Sequence, residues 1–302
     1  MNGFFVIDKP SGITSHDVVS RVRRILGTRK VGHTGTLDPF ATGVLPIAVN
    51  EATKSIQYLD ERTKSYEALL LLGIATDTLD ITGRVIQEAD WHDIDLPQLE
   101  AVLANFTGSI NQLPPMFSAI KQDGQPLYKL ARQGVEVERK SRQIEIHSLE
   151  LLSFEPPLLN LRVFCSRGTY IRSLADDIGK ALGCGATLKE LRRTASGMFN
   201  MDMAVSLETL ASACHEATLD KLCISTYSAL NHLTDIPISA NGLRMVRHGR
   251  SPGREDVITA EFASSGEPQL VRLSYQGALA AIGQLVTLDE NSPLILVKRV
   301  FA

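Results

Sequence analysis

The stretch Gly32-His33-Thr34-Gly35-Thr36-Leu37-Asp38-Pro39-Phe40-Ala41-Thr42-Gly43-Val44-Leu45-Pro46 constrains this chain more than any other. Its glycines and prolines argue against a helix or a central strand, yet it is largely apolar. Surface loops are polar as a rule, and a buried one must find a partner for every backbone N–H and C=O. A long loop in a compact domain is functional or disordered, and this composition is not that of a disordered segment. Asp38 is its sole acid, and no Lys or Arg lies between Val31 and Ala52. A lone carboxylate on a rigid apolar loop is the setting of an aspartate with a chemical task. Pro39 biases Asp38 towards extended backbone, and Gly35 and Gly43 permit close approach of other chain segments. Asp-Pro is also a common turn initiator, so a turn cap and a reactive carboxylate are both open readings of Asp38.

The 302 residues can hold one large domain, or a large and a small one. With 44% apolar and 22% charged residues the composition is that of a globular protein. No apolar run is long enough for a spanning helix, so no membrane contact is expected. The opening Met1–Lys9 has an apolar run without the basic region or cleavage site of a signal peptide, and reads as a first strand. Cys165, Cys184, Cys214 and Cys223 lack metal-ligand or CxxC spacing, which points to free thiols, no metal and a cytoplasmic protein.

The formal net charge is −3, so contact with a polyanion has to be local. Ser20–Lys30 carries Arg21, Arg23, Arg24, Arg29 and Lys30 and no acid. Lys121–Arg142 holds six cations, Lys121, Lys129 and Arg132 among them, against three acids, and Arg192-Arg193 is a third group. Each alone reads as a solvated face; three on an acidic chain point to a polyanionic partner.

Thr14-x-x-Asp17 has the form of a capping box, followed by Val18, Val22, Ile25 and Leu26 at helical spacing and a stop at Gly27. A strand is expected from about Tyr66 to Ile74, and a helix from about Leu96 to Phe106 with Asp95 as cap. Residues 113–142, rich in Pro, Gly and cations, read as an insertion projecting from the core. Gln143–Phe154 and Leu158–Ser166 then alternate as strands. Ile171, Leu174, Ile178 and Leu182 form the stripe of a helix stopped by Gly183. Beyond Pro237, the runs 269–275, 278–288 and 294–300 recur at the intervals of a small barrel or sandwich. A boundary is therefore placed there: 1–236 a large domain, 237–302 a small one.

Arg172 is the natural partner for Asp38. Ile171 belongs to the apolar stripe, so Arg172 points off that face, either to solvent or to a carboxylate that it keeps ionised and oriented. Tyr66 and Tyr170 sit at element ends, where an aromatic ring stacks on a base or covers the core edge. His33 reads a phosphate or fills space.

Together these residues resemble one family. The stretch around Leu37-Asp38-Pro39 is similar to the signature of the bacterial tRNA pseudouridine-55 synthases, the TruB family. The resemblance continues in Asp8-Lys9-Pro10-Ser11-Gly12, in Gly73-Ile74-Ala75-Thr76-Asp77-Thr78-Leu79-Asp80 and in Ser118-Ala119-Ile120-Lys121. It recurs in Arg132-Gln133-Gly134, in Gly168-Thr169-Tyr170-Ile171-Arg172 and in Gly183-Cys184-Gly185-Ala186 through Leu191-Arg192-Arg193. These motifs span residues 3 to about 200 in the family's order, and the tail resembles the family's PUA-like RNA-binding domain less sharply.

The resemblance implies an α+β pseudouridine-synthase fold: a mixed, largely antiparallel central sheet with flanking helices, plus a small β-rich C-terminal domain. It implies isomerisation of the T-loop uridine at position 55 of tRNA, with no cofactor and no metal. Asp38 would be the nucleophile, attacking the sugar or the base ring, with Arg172 holding it ionised. Tyr66 would stack on the flipped uracil and take the C5 proton. Tyr170 and Leu191 would line the pocket, and His33 would fill space vacated in the T-loop. Residues 113–142 would be the family's thumb. Arg23, Arg24, Arg29, Lys30, Lys121, Lys129, Arg132, Arg192 and Arg193 would meet phosphates. The expected unit is a monomer without an obligate protein partner.

Three rival readings remain. A guide-RNA-dependent subunit of the same superfamily is disfavoured by the absence of charged terminal extensions. A non-catalytic tRNA-binding or folding protein would not need Asp38, Arg172 and Tyr66 together. A glycoside hydrolase would need a second carboxylate beside the bond, and the opening loop offers one.

Overall fold

The computed structural model describes residues 1–118, 120–122, 124–258, 268–287 and 293–301. In β1 (Gly3–Lys9) Phe5 and Ile7 enter one apolar cluster while Phe4 and Val6 enter another on the opposite face. A strand covered on both faces reads as a continuous apolar run, as this one does. The expected capping box forms at α1 (Ser15–Leu26): the Asp17 N–H donates to Thr14 Oγ1 at 3.0 Å and the Thr14 N–H to Asp17 Oδ2 at 2.9 Å, with Gly27 left-handed at the end.

Next come β2 (Val31–His33), β3 (Thr42–Val49) and a 3-10 helix over Asn50–Tyr58. The Gly- and Pro-rich stretch is thus not one loop: its two ends are strands, and the loop proper is 34–41. Pro46 sits inside β3 opposite Val6 of β1, and its carbonyl takes the Thr34 N–H at 3.1 Å. Gly43 is at φ +99, and a Cβ there would lie 2.2 Å from the Arg193 carbonyl oxygen. The glycine is what lets β3 touch its neighbour. Gly43→Ala is expected to cost about 2–4 kcal/mol, seen as a lower midpoint in thermal or urea unfolding. An unchanged midpoint would show that this contact gives way freely.

β4 (Thr63–Leu72) starts three residues earlier than expected and breaks at Gly73, whose φ is +82 and whose added Cβ would lie 2.5 Å from Trp91 Cδ1. β5 (Ile74–Thr76) and β6 (Val85–Glu88) form a separate hairpin. α2 (Leu96–Ala104) begins at the Asp95 cap as expected and stops two residues early, at Asn105. β7 (Gly108–Gln112) precedes the insertion, which contains β8 (Lys121–Gln122), β9 (Gln125–Pro126) and α3 (Leu127–Arg132). β10 (Arg142–Glu155), β11 (Leu158–Ser166) and α4 (Ile171–Leu182) follow, the last with the bounds its apolar stripe predicts. After β12 (Ala186–Ser196) come β13 (Phe199–Asn200), β14 (Ala204–Val205), α5 (Leu207–His215), β15 (Ile224–Ser225) and α6 (Thr226–Ala229).

The main sheet runs β14-β1-β3-β12-β4-β11-β10-β7, with β13, β15 and β2 attached beside it. Only β1–β14 and β3–β12 pair in parallel among its described strands, so the sheet is mixed and largely antiparallel. A second sheet holds β16 (Thr234–Pro237), β17 (Gln269–Tyr275), β18 (Ala278–Thr287) and β19 (Pro293–Val300), against which α7 (Ala240–Arg247) packs. Among the described residues it is one open sheet, not the barrel or sandwich suggested by strand spacing. It opens at Thr234, and its first strand ends at Pro237.

Candidate active site

The loop 34–41 is apolar and partly buried, so its backbone N–H and C=O groups must find partners elsewhere. Four side chains supply them. Arg193 Nη2 donates to the Gly35 carbonyl at 3.1 Å and its Nε to that of Val44 at 2.7 Å. Ser15 Oγ takes the Leu37 N–H at 2.8 Å. Lys9 Nζ donates to the carbonyls of Pro39 at 3.1 Å and Ala41 at 2.7 Å, and Ser11 Oγ to that of Phe40 at 3.0 Å. Leu37 is buried in the main core. The loop is therefore rigid without regular structure, and it sets Asp38 at the wall of a cavity of about 600 Å³.

Arg172 meets Asp38 face to face: Nε lies 2.9 Å from Oδ2, and Nη2 donates to Oδ1 at 3.1 Å. Such a two-bond pair fixes the carboxylate's plane as well as its place. Arg172 is 5% exposed, so of the two readings left open by spacing the buried partner is the one observed. It is buried because the segment after β7 closes over the start of α4. Gln112 makes two hydrogen bonds to the Tyr170 backbone, at 2.8 and 3.0 Å, and the Phe117 carbonyl accepts from Arg172 Nη2 at 2.8 Å.

A second acid, missed in the sequence, holds Arg172 from the other side. Asp80 Oδ2 lies 3.5 Å from Arg172 Nη1, and its other oxygen is held by the Thr78 hydroxyl at 2.8 Å and the Thr82 N–H at 3.0 Å. Two carboxylates around one guanidinium leave the group formally anionic. Burial pushes the Asp38 carboxyl above its ordinary range; Arg172 opposes this, and Asp80 adds to it. Lys9 lies behind the same loop, and burial lowers its ammonium to about 8.

β4 and β12 form another wall. Tyr66 stands opposite Arg193, and Ala68 opposite Leu191, so Lys64, Tyr66, Leu191 and Arg193 look into the cavity from one face. Burial raises the Tyr66 phenol, which is therefore protonated at neutral pH. At rest it is a ring wall of the cavity and not a base. Tyr170, at the start of α4, lines the cavity beside Gly168 and Thr169.

Other expected site residues fall elsewhere. His33 lies in β2, half-buried and outside the cavity lining; burial, then Arg193, keeps it below its ordinary pKa, and its Nδ1 finds no hydrogen-bond partner among the described residues. Arg193 is 2% exposed and serves the loop, not the surface. Arg192 makes a two-bond pair with Asp8 at 3.1 and 2.8 Å, Lys30 pairs with Glu51 at 3.3 Å, and Arg23 donates to the Val31 carbonyl at 3.0 Å. Arg24, Arg29, Lys121 and Lys129 are exposed; the Arg132 side chain lies outside the described residues. No group of His, Cys, Asp or Glu among the described residues is arranged to hold a metal ion.

Residues 23–171 match the TruB family pseudouridylate synthase N-terminal domain, and 172–231 match the tRNA pseudouridylate synthase B C-terminal domain. The chain is 55% identical over 273 residues to tRNA pseudouridine synthase B of Geobacter sulfurreducens, covering 90% of this chain and 89% of that protein. It is 49% identical to the protein of that name from Geotalea uraniireducens, covering 94% and 92%. Among solved structures, it is similar to a chain of the archaeal box H/ACA sRNP Nop10–Cbf5 complex at 30% identity and TM-score 0.76, covering 99% of this chain and 86% of that one. A mixed sheet with a rigid aspartate loop at its cleft, in these relations, defines a pseudouridine synthase. The chain belongs to the TruB family of pseudouridylate synthases.

Proposed function

We propose that the enzyme converts the T-loop uridine at position 55 of tRNA to pseudouridine, with Asp38 as nucleophile. The observation that carries this is the Asp38–Arg172 pair at the wall of the cavity. A uridine in a folded loop hides C1′ and C6, so it must be flipped out, at a cost of a few kcal/mol. The cavity is of the size and mixed polarity that suit a base. Asp38 adds to C1′ or C6, the N1–C1′ bond breaks, and the uracil turns. C5 then joins C1′, the bond to Asp38 breaks with the pair returning to its carboxylate, the C5 proton leaves and N1 gains one. The balance is redox-neutral and isomeric, so no cofactor enters it.

In this reading Arg172 keeps Asp38 ionised and aimed. Tyr66 packs on the uracil, and its phenol is the group placed to relay the C5 proton. Leu191 and Tyr170 bound the base. Arg24, Arg29, Lys121 and Lys129 are exposed and available to phosphates. Tyr66→Phe keeps the ring and is expected to slow turnover about a hundredfold, in line with the loss of a positioned proton-transfer group; a rate within threefold of wild type would confine Tyr66 to packing.

The acting unit is a single chain in the cytoplasm, without a guide RNA. What supports this is the higher identity to proteins named tRNA pseudouridine synthase B, 55% against 30% for the Cbf5 chain. The test is release of tritium from tRNA labelled at C5 of uridine, because only the isomerisation frees that hydrogen. One tritium per tRNA is expected. Binding without release would leave a tRNA-binding or folding protein, and several per tRNA would overturn the single-site assignment.

A further inference from the structure

The isomerisation gives the buried Arg193 no part beyond holding the loop. β12 and β4 pair so that Arg193 lies directly opposite Tyr66. Opposite residues of an antiparallel pair point to one face, with Cβ atoms about 5 Å apart, and both of these side chains line the cavity. Arg193 is 2% exposed. Its guanidinium donates to backbone carbonyls alone: Nε to Val44 at 2.7 Å, Nη2 to Gly35 at 3.1 Å and Nη1 to Thr36 at 3.5 Å. No carboxylate pairs with it among the described residues, whereas Arg172 meets Asp38 and Asp80, and the adjacent Arg192 meets Asp8. Carbonyls satisfy its N–H groups and leave its charge whole, and an unpaired buried charge is costly. Tying down the loop does not require that cost, since Ser11 and Ser15 do the same with neutral hydroxyls. Lys9, the loop's other buried cation, is lowered by burial to about 8 and can shed its proton; a guanidinium cannot.

That fixed charge is felt around it. Burial is the first influence on Lys9, His33, Lys64 and Tyr66, and Arg193 acts on all four, against each further cation and in favour of the phenolate. The other groups facing Tyr66 are Cys165 of β11 and Asp38 of the loop, and both oppose its ionisation. Lys64, two residues away on β4, is already held by Ser196 Oγ at 2.6 Å and Glu61 at 3.3 Å, and Arg172 is held by its two carboxylates. Arg193 is thus the cation left to serve the phenol oxygen.

We propose that Arg193 is a positioning residue that acts through Tyr66: its uncompensated charge, fixed across the strand pair, holds the negative charge of the phenol oxygen while the phenol's proton is away. This rests on the isomerisation proposed above. There the phenol gives its proton to solvent, and the phenolate takes the proton from C5. The C5–H bonding pair stays in the ring as the C5–C6 double bond, N1 gains a proton from solvent, and the phenol ends as it began. A cation already in place beside an oxyanion needs no reorganisation at that moment.

The experiment compares wild type, Arg193→Gln, Arg193→Lys, Tyr66→Phe and the Arg193→Gln/Tyr66→Phe double variant, with Arg193→Met as a second neutral replacement should Arg193→Gln not fold. Ionisation of Tyr66 is read by NMR of protein labelled at tyrosine Cζ, the signal being assigned by its loss in Tyr66→Phe. Arg193→Gln is expected to lower the phenolate-to-phenol ratio at a given alkaline pH about tenfold. Arg193→Lys, which keeps the charge and loses the fork, is expected to restore most of it. Single-turnover tritium release is expected to slow about tenfold in Arg193→Gln, and by less than about threefold when the same change is made in Tyr66→Phe, because residues acting as one unit do not add. A Tyr66 signal unmoved by the neutral replacements overturns the proposal. So does a rate loss as large without the phenol as with it, or a Tyr66→Phe rate within about threefold of wild type; each leaves Arg193 as a clamp on the loop. The phenol titration needs no turnover, so it decides the proposal even if wild type releases no tritium, a result that would refute the isomerisation.

Discussion

Asp38→Asn is expected to abolish pseudouridine formation, by on the order of 10⁴-fold or more, while leaving tRNA binding within a few-fold of wild type. The substitution keeps the side chain's shape and removes its charge and nucleophilicity. Removal of a covalent nucleophile is among the largest single losses in mutant kinetics. Binding is carried by cavity walls and surface cations that the change does not touch. The loop is held through its backbone by Arg193, Lys9, Ser11 and Ser15, so it does not depend on the Asp38 carboxylate for its shape. Tritium release and filter binding on the same protein would show the split. Residual turnover near wild type would mean that Asp38 only positions Arg172.

Arg172→Ala should cost both stability and rate. The guanidinium lies between Asp38 and Asp80 at 2.9 and 3.5 Å. Its loss leaves two carboxylates facing a cavity with no cation between them, and breaking a buried pair in this way costs about 3–5 kcal/mol. The rate effect has a direction in pH. Burial already holds the Asp38 carboxyl above its ordinary range, and Arg172 is the first group pulling it back. Only the carboxylate is nucleophilic, so the single-turnover rate of wild type should fall on the acid side with a midpoint above the ordinary aspartate value of about 3.9. With Arg172 removed, the midpoint should move further up. Arg172→Lys retains a charge but not the fork, so its limb should lie between the two. An acid limb that stays in place in both variants would contradict the pairing as the source of Asp38's ionisation.

The helices α1 and α4 were legible to the residue because their caps and stripes are local: Thr14, Asp17 and Gly27 for one, Ile171 to Gly183 for the other. Asp38 was legible because an isolated acid in an apolar stretch is a local signal too. The strand β3 was not, because Pro46 and Gly43 speak against a strand until one knows that Gly43 must touch the Arg193 backbone. Arg193 itself read as a surface cation. Its burial follows from the pairing of β12 with β3 and β4, contacts 114 to 150 residues apart in the chain. Asp80 lay within a recognised motif, yet nothing in its neighbours marks it as the second anchor of an arginine 92 positions later. Long-range pairing decides such residues, and periodicity does not report it.

The most direct measurement is carbodiimide adduct mapping of pseudouridine on an unmodified T-arm stem-loop, with wild type and Asp38→Asn side by side. A single adduct at the T-loop uridine, absent with the variant, is the result the Asp38–Arg172 cleft predicts. No adduct with wild type, despite salt-sensitive binding, or an adduct that persists in the variant, would contradict it.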